Sequence, residues 1–144
     1  MKDRISGTVT LACGLDLGDR TSTFCLCTGE GEIVEQGRVR TTTPSLARRF
    51  EAMAPMRIAL EVGPHSPWVS RLLRQWGHEV IVANARKVKL IGNSRRKNDR
   101  IDAQTLADLA SVRPRLLHPV EHISAEAQAD RTVLRSRDAL VRAR

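Results

Sequence analysis

Aromatic residues are scarce in this 144-residue chain: two Phe, two Trp and no Tyr make up 3% of it. So few rings do not favour a surface on which successive bases stack. Long hydrophobic runs are also missing, and none approaches the roughly 20 residues that span a bilayer. The first four residues are polar and do not resemble a signal peptide. These absences exclude membrane and secreted classes of protein.

Cysteine is limited to three residues, an odd number, and Cys25 and Cys27 form a C-x-C pair within a strand-like run. An odd count without a framework of spacings excludes a disulfide scaffold and favours buried thiols in a reducing compartment such as the cytoplasm. A metal half-site at the C-x-C pair lacks a second Cys or His pair at matching spacing.

Charge is present in quantity and unevenly distributed. The chain has 24 Lys and Arg against 16 Asp and Glu, a net charge of +8. Residues 1–82 have a net charge of +1, and residues 83–144 have a net charge of +7. This asymmetry indicates either a polyanionic partner, most simply a nucleic acid, or a solvated Arg-rich helical surface.

The hydrophobic pattern predicts an α/β fold. Apolar alternation and turn residues predict five strands, and the first three form an antiparallel meander. Proline and capping signals predict helices between and after the later strands, and the last two strands require parallel, right-handed crossovers. The order predicts a mixed five-stranded sheet of ribonuclease H-like type with flanking helices, over residues 1–120. Residues 121–144 predict an Arg-rich amphipathic helix, interpreted as the start of a coiled coil.

Four carboxylates have the spacing of a metal site. Asp16 and Glu61 stand near the carboxyl ends of the first and fourth predicted strands, which converge on one edge of the sheet. Asp99 and Asp102 are three residues apart on a predicted helix and would project from one face. Carboxylates this close repel unless a cation neutralises them, and hard oxygen ligands suit Mg²⁺ or Mn²⁺. Two such ions would support phosphodiester cleavage.

Three of the acids also have a specific structural interpretation: a turn former at Asp16, a helix-dipole partner at Asp99 and an ion pair at Asp102. The basic residues around the acid pair are either phosphate-binding groups or a solvated face; they are Arg86, Lys87, Lys89, Arg95, Arg96, Lys97 and Arg100. His65 and Ser66 follow Glu61 and would be near a substrate, although Ser66 fits better as a helix cap.

Three segments together resemble a known family. They are Gly14-Leu15-Asp16-Leu17-Gly18, Leu60-Glu61-Val62-Gly63 and Lys97-Asn98-Asp99-Arg100-Ile101-Asp102-Ala103. This set resembles the N-terminal domain of the DEDD transposases of the insertion sequence 110 family, which occur in bacterial mobile elements. The resemblance extends from about Thr8 to about Pro119.

The resemblance implies a RuvC-like fold in which Asp16, Glu61, Asp99 and Asp102 are the metal-binding catalytic residues. It implies DNA as substrate, a structured guide RNA in at least some members, a bacterial cytoplasmic location, and a homo-oligomer formed through the C-terminal helix. Family members also have a C-terminal domain with a catalytic serine, to which no serine here corresponds, so we expect the chain to be a fragment or a truncated copy. Two alternatives stay open: a Holliday-junction-type endonuclease on the same fold, and a non-catalytic nucleic-acid-binding fragment.

Overall fold

A six-stranded mixed sheet organises residues 10–92 and 101–122, the part of the chain that the computed structural model describes. The strands are β1 (Leu11–Asp16), β2 (Thr21–Thr28), β3 (Ile33–Arg40), β4 (Arg57–Glu61), β5 (Glu79–Ala83) and β6 (Pro119–Val120). The helices are α1 (Thr43–Phe50), α2 (Ser66–Gln75), α3 (Ala85–Gly92) and α4 (Ala103–Val112), with a 3₁₀ turn at Pro114–Leu117. The spatial order of the strands is β3-β2-β1-β4-β5-β6.

The pairing directions follow the predicted meander and crossovers. β2 is antiparallel to both β1 and β3, whereas β4 is parallel to both β1 and β5. A mixed sheet with these directions and flanking helices is consistent with the expected ribonuclease H-like fold. The prediction of five strands is wrong by one, because β6 adds an antiparallel edge strand beside β5. A two-residue strand is too short to have a detectable hydrophobic period, so pattern reasoning could not find it.

Each face of the sheet has its own apolar core. On one face, α1 and α2 cover the sheet, and the largest fully buried side chains are Leu15, Leu26, Leu46, Phe50, Ile58, Leu60, Val69 and Leu73. On the other face, α4 packs against small side chains of β1 and β2; the buried residues there include Ala12, Cys25, Cys27, Ala103, Leu106, Ala107 and Ala110. No helix in the described ranges is long and apolar enough to cross a membrane. Residues 123–144 lie outside those ranges, so the C-terminal helix stays a prediction.

Gly14 on β1 determines how closely α4 can approach the sheet. A Cβ atom at this position would overlap the carbonyl oxygen of Ala103 and lie 2.5 Å from the amide nitrogen of Ala107. Both are backbone atoms of α4 and cannot rotate away. The glycine of the first motif is therefore required for the position of α4, and with it for the position of the chain segment that enters this helix.

We expect Gly14→Ala to lower the free energy of unfolding by about 1–3 kcal/mol or more, since added atoms in a packed interior force backbone shifts. Gly29→Ala is the matched control, because no atom lies within 4 Å of its added Cβ. Urea unfolding should show a lower midpoint for Gly14→Ala and a shift within about 0.5 kcal/mol for Gly29→Ala. Equal midpoints in the two variants would contradict the proposed close approach.

The three cysteines are buried and free, as predicted. Burial raises the pKa of the Cys13 thiol far above its ordinary value, with a smaller contribution from Cys25. Burial also raises the pKa values of Cys25 and Cys27, with neighbouring negative charge as the lesser cause. Because the thiolate is the reactive form, these thiols have little nucleophilic character in the folded protein.

We therefore expect iodoacetamide to label the three thiols only when the protein unfolds. We expect all three thiols to react at least about 1,000-fold more slowly in the native protein than in concentrated guanidinium chloride, as a stability of 5 kcal/mol or more would impose. Mass spectrometry over time measures the number of labels per chain. A thiol that labels rapidly under native conditions would contradict its burial.

Candidate functional site

Two acids of the predicted set end neighbouring parallel strands. Asp16 is the last residue of β1, and Glu61 is the last residue of β4. The register places Leu15 opposite Leu60, one residue before each acid. Both carboxyl groups consequently lie at the same edge of the sheet, and both residues are half-buried. The sequence-based expectation that these strand ends converge is confirmed for Asp16 and Glu61.

A cavity of about 320 Å³ lies between these strand ends. Asp16 and Glu61 line it together with the two loops that follow them. The first loop contributes Leu17, Gly18 and Asp19, and the second contributes Val62, Gly63, Pro64 and His65. The two acids therefore face one shared, solvent-open space.

The segment that enters α4 is attached directly to Glu61. The backbone N–H of Ile101 donates a hydrogen bond to Glu61 Oε2 at 3.0 Å, and the Ile101 side chain is buried. This contact joins two sequence motifs that are forty residues apart. It brings the residue next to Asp102 to the same sheet edge as Asp16 and Glu61.

Asp102 caps α4 and does not lie within it. Its carboxylate Oδ1 accepts a hydrogen bond from the backbone N–H of Thr105 at 2.7 Å, and its backbone is extended. The prediction of a helix from Asp99, with Asp99 and Asp102 on one helical face, is wrong in its starting point, because α4 begins at Ala103. Asp99 itself lies outside the described residues.

The donor set fits a hard cation in part. Asp16 and Glu61 offer carboxylate oxygens to one open cavity, which is the donor chemistry that Mg²⁺ and Mn²⁺ prefer. Asp102 does not line that cavity. Among the described residues, no group of three or more His, Cys, Asp and Glu side chains is arranged to hold a metal ion. The described geometry thus supplies two of the four predicted ligands in one place.

Asp19 and His65 line the cavity and contact each other, a pairing that the sequence analysis did not identify. His65 Nε2 lies 3.0 Å from Asp19 Oδ1, and the indole N–H of Trp68 donates to His65 Nδ1 at 3.1 Å. The Trp68 side chain also packs against the apolar cluster beneath α2. Only the rule that polar residues after adjacent parallel strands converge could have indicated the pairing.

Ser66 stabilises the second loop through hydrogen bonds to Gly63. Its hydroxyl donates to the Gly63 carbonyl at 2.8 Å and accepts from the Gly63 N–H at 3.0 Å, so the remaining contact at 2.9 Å is donated by His122 Nε2. Burial lowers the pKa of His122, and the nearby guanidinium groups of Arg74 and Arg71 lower it further. Both effects favour a neutral imidazole, which here carries its proton on Nε2. Ser66 is the first residue of α2, after His65 as N-cap, so the expectation that Ser66 caps the helix is wrong by one residue.

The predicted phosphate-binding residues are only partly within the described ranges. Arg86 and Lys87 are exposed in the first turn of α3, which begins directly after β5 at the sheet edge that holds the cavity. Lys89 is also in α3. The remaining four lie outside the described residues: Arg95, Arg96, Lys97 and Arg100.

Comparison with known proteins yields a family and structural neighbours of low identity. A search of curated proteins gives no match. Among solved structures, the ethanolamine utilization protein EutJ from Carboxydothermus hydrogenoformans aligns at 11% identity with a TM-score of 0.40; the alignment covers 58% of this chain and 40% of that one. The family model of the DEDD transposase domain of insertion sequence 110, described as a transposase, matches residues 13–144. The chain therefore belongs to the insertion sequence 110 family of DEDD transposases.

Proposed function

We propose that the chain is the catalytic domain of a DNA transposase or recombinase that cleaves and transfers DNA strands with the help of Mg²⁺ or Mn²⁺. The observation that carries this proposal is the placement of Asp16 and Glu61 in one open cavity at the ends of two parallel strands. The family to which the chain belongs supports DNA as the substrate. A structured guide RNA and a homo-oligomer remain further expectations from the same family.

Asp16, Glu61, Asp99 and Asp102 would hold the metal ions in this proposal. When bound, such ions stabilise negative charge on the oxygens of a phosphodiester under attack and make water a stronger nucleophile. The chain's own contribution is orientation. Glu61 is held by the Ile101 N–H, which accounts for one of its oxygens and leaves its other lone pairs for a cation. The cavity of about 320 Å³ would have room for a phosphate group between the two loops.

α3 offers a place for the DNA backbone beside the cavity. Its first turn contains no acidic residue, its N-terminus carries a partial positive charge, and Arg86 and Lys87 are exposed there. Phosphates attract such a site independently of base sequence. We therefore propose that α3 binds the phosphodiester backbone and delivers it to the acids.

Metal binding is tested by thermal unfolding in Mg²⁺ or Mn²⁺. At about ten times the dissociation constant, binding contributes about 1.4 kcal/mol, which raises Tm by about 3–6 °C for a chain of this size. We expect Asp16→Asn to lose most of this shift. Asp108→Asn removes the same charge from an exposed position on α4 and should keep the full shift. Equal shifts for wild type and Asp16→Asn would instead favour the non-catalytic nucleic-acid-binding alternative.

Asp102→Asn separates the two roles of Asp102 in the same titration. Asparagine caps helices about as well as aspartate, so Tm without metal should stay close to wild type. The lost negative charge should nevertheless reduce the metal-dependent shift. Unchanged metal binding in this variant would limit Asp102 to capping.

DNA binding is tested by fluorescence anisotropy with a labelled duplex over a range of KCl concentrations. We expect the double variant Arg86→Ala/Lys87→Ala to weaken binding about tenfold and to reduce the slope of log affinity against log salt by about 2, one for each lost phosphate contact. Arg38→Ala/Arg40→Ala is the matched control, since it removes two exposed arginines from β3. This strand is at one end of the strand order, whereas α3 follows β5 near the other end.

Equal losses in the two double variants would contradict a specific role for α3. The same assay with a four-way junction tests the remaining alternative. Strong preference for the junction, with Mg²⁺-dependent cleavage by this chain alone, would favour a junction endonuclease over a transposase.

A further inference from the structure

A chain of hydrogen bonds spans the cavity between the two acid-bearing loops. One loop leads from Asp16 to Asp19, and the other leads from Glu61 to His65. The contact between His65 Nε2 and Asp19 Oδ1, at 3.0 Å, joins their far ends. The cavity is therefore bounded by the two strand ends on one side and by this contact on the other.

Trp68 determines which ring nitrogen of His65 carries the proton. An indole N–H is a donor only, so His65 Nδ1, which receives it at 3.1 Å, must be an acceptor. The proton of the neutral ring is then on Nε2, and Nε2 donates to Asp19. The rings of His65 and Trp68 meet edge to face, with centroids 6.1 Å apart, which further fixes the imidazole plane.

Each loop is also anchored on its outer side. In the first loop, the Gly18 N–H donates to Ser22 Oγ at 3.3 Å, and Thr41 Oγ1 donates to the Gly18 carbonyl at 2.7 Å. In the second loop, the Ser66 hydroxyl bonds both backbone groups of Gly63, and His122 supports it. With the outer sides fixed, the contact between His65 and Asp19 adds a link between the two loops across the cavity.

This link is poorly suited to a role in stability. The Asp19 side chain is 92% exposed and that of His65 is 28% exposed, and exposed pairs of this kind contribute little to folding. The indole donor instead fixes the tautomer of His65 and directs its N–H at Asp19, which is what an orienting group requires.

We propose that His65 and Asp19 are a pair of positioning residues that sets the separation of the two loops and thereby the shape of the cavity in which Asp16 and Glu61 would bind a metal ion. This inference rests on the proposed metal-dependent function. Neither residue touches the reacting atoms. His65 acts through Asp19 and the loop between Asp19 and Asp16, and Trp68 keeps the His65 proton on Nε2.

The test measures the Mg²⁺ and Mn²⁺ dissociation constants of wild type and variants by thermal unfolding. We expect His65→Ala and Asp19→Ala each to weaken binding about tenfold, the lower end for groups that support metal ligands. The double variant should be no weaker than either single one, because both remove the same link. Asp19→Asn should restore nearly wild-type affinity, since its amide oxygen still accepts the His65 proton. Asp108→Ala is the control for loss of an exposed carboxylate.

The conservative variant distinguishes positioning from direct ligation. If Asp19→Asn weakens binding as much as Asp19→Ala, Asp19 is itself a ligand and the proposal is overturned. A wild-type chain that binds neither ion overturns the proposed function, whereas wild-type binding with an unchanged constant in His65→Ala overturns only the positioning role.

The imidazole itself provides a readout that does not depend on metal. Nitrogen-15 NMR should show the proton of His65 on Nε2 in the wild type and in Asp19→Asn, and a mixture of tautomers in Trp68→Phe, which keeps the ring but lacks the donor. A proton found mainly on Nδ1 in the wild type would overturn the proposed link.

Discussion

The close approach of α4 to β1 is the constraint on which the rest of the site depends. It exists because Gly14 has no side chain where the backbone of Ala103 and Ala107 passes. A helix held at that distance places its N-terminus at the carboxyl end of β1. The N–H of Ile101 can then reach Glu61 on the neighbouring strand. One missing side chain therefore brings the third acid-bearing segment to the edge where the other two acids lie.

Backbone amides resolve part of the electrostatic problem that clustered carboxylates create. Like charges at a half-buried edge repel, and a carboxylate without partners there would be costly. Glu61 accepts the N–H of Ile101, and Asp102 accepts the N–H of Thr105. Each contact partly compensates a negative charge with a fixed dipole and leaves further lone pairs available. These fixed dipoles consequently offset part of the repulsion between the acids before any cation binds.

The sequence predicted the elements that have strong periodicity and failed where tertiary contacts decide. The strand that holds Asp16 has an alternating apolar pattern, and the strand that holds Glu61 is a short apolar run. Gly77 follows α2 with a φ of +95°, a conformation that favours glycine. The start of α4 was predicted too early, because the hydrogen bond from the Ile101 N–H to Glu61 beside the cap at Asp102 joins residues forty positions apart and has no local signal. The pair of Asp19 and His65 is separated by 46 residues and has no local signal.

In the proposed function, the Asp102 carboxylate would serve both folding and metal binding. As N-cap it accepts one N–H and lies at the positive end of the α4 dipole. A carboxylate has about four lone-pair sites, so one capping bond leaves room for a cation. The same bond fixes the orientation of the carboxylate. A carboxylate that is free to rotate would lose more conformational entropy when it binds a cation. The requirement for a stable helix start and the requirement for a preoriented acid therefore favour the same residue at the same position.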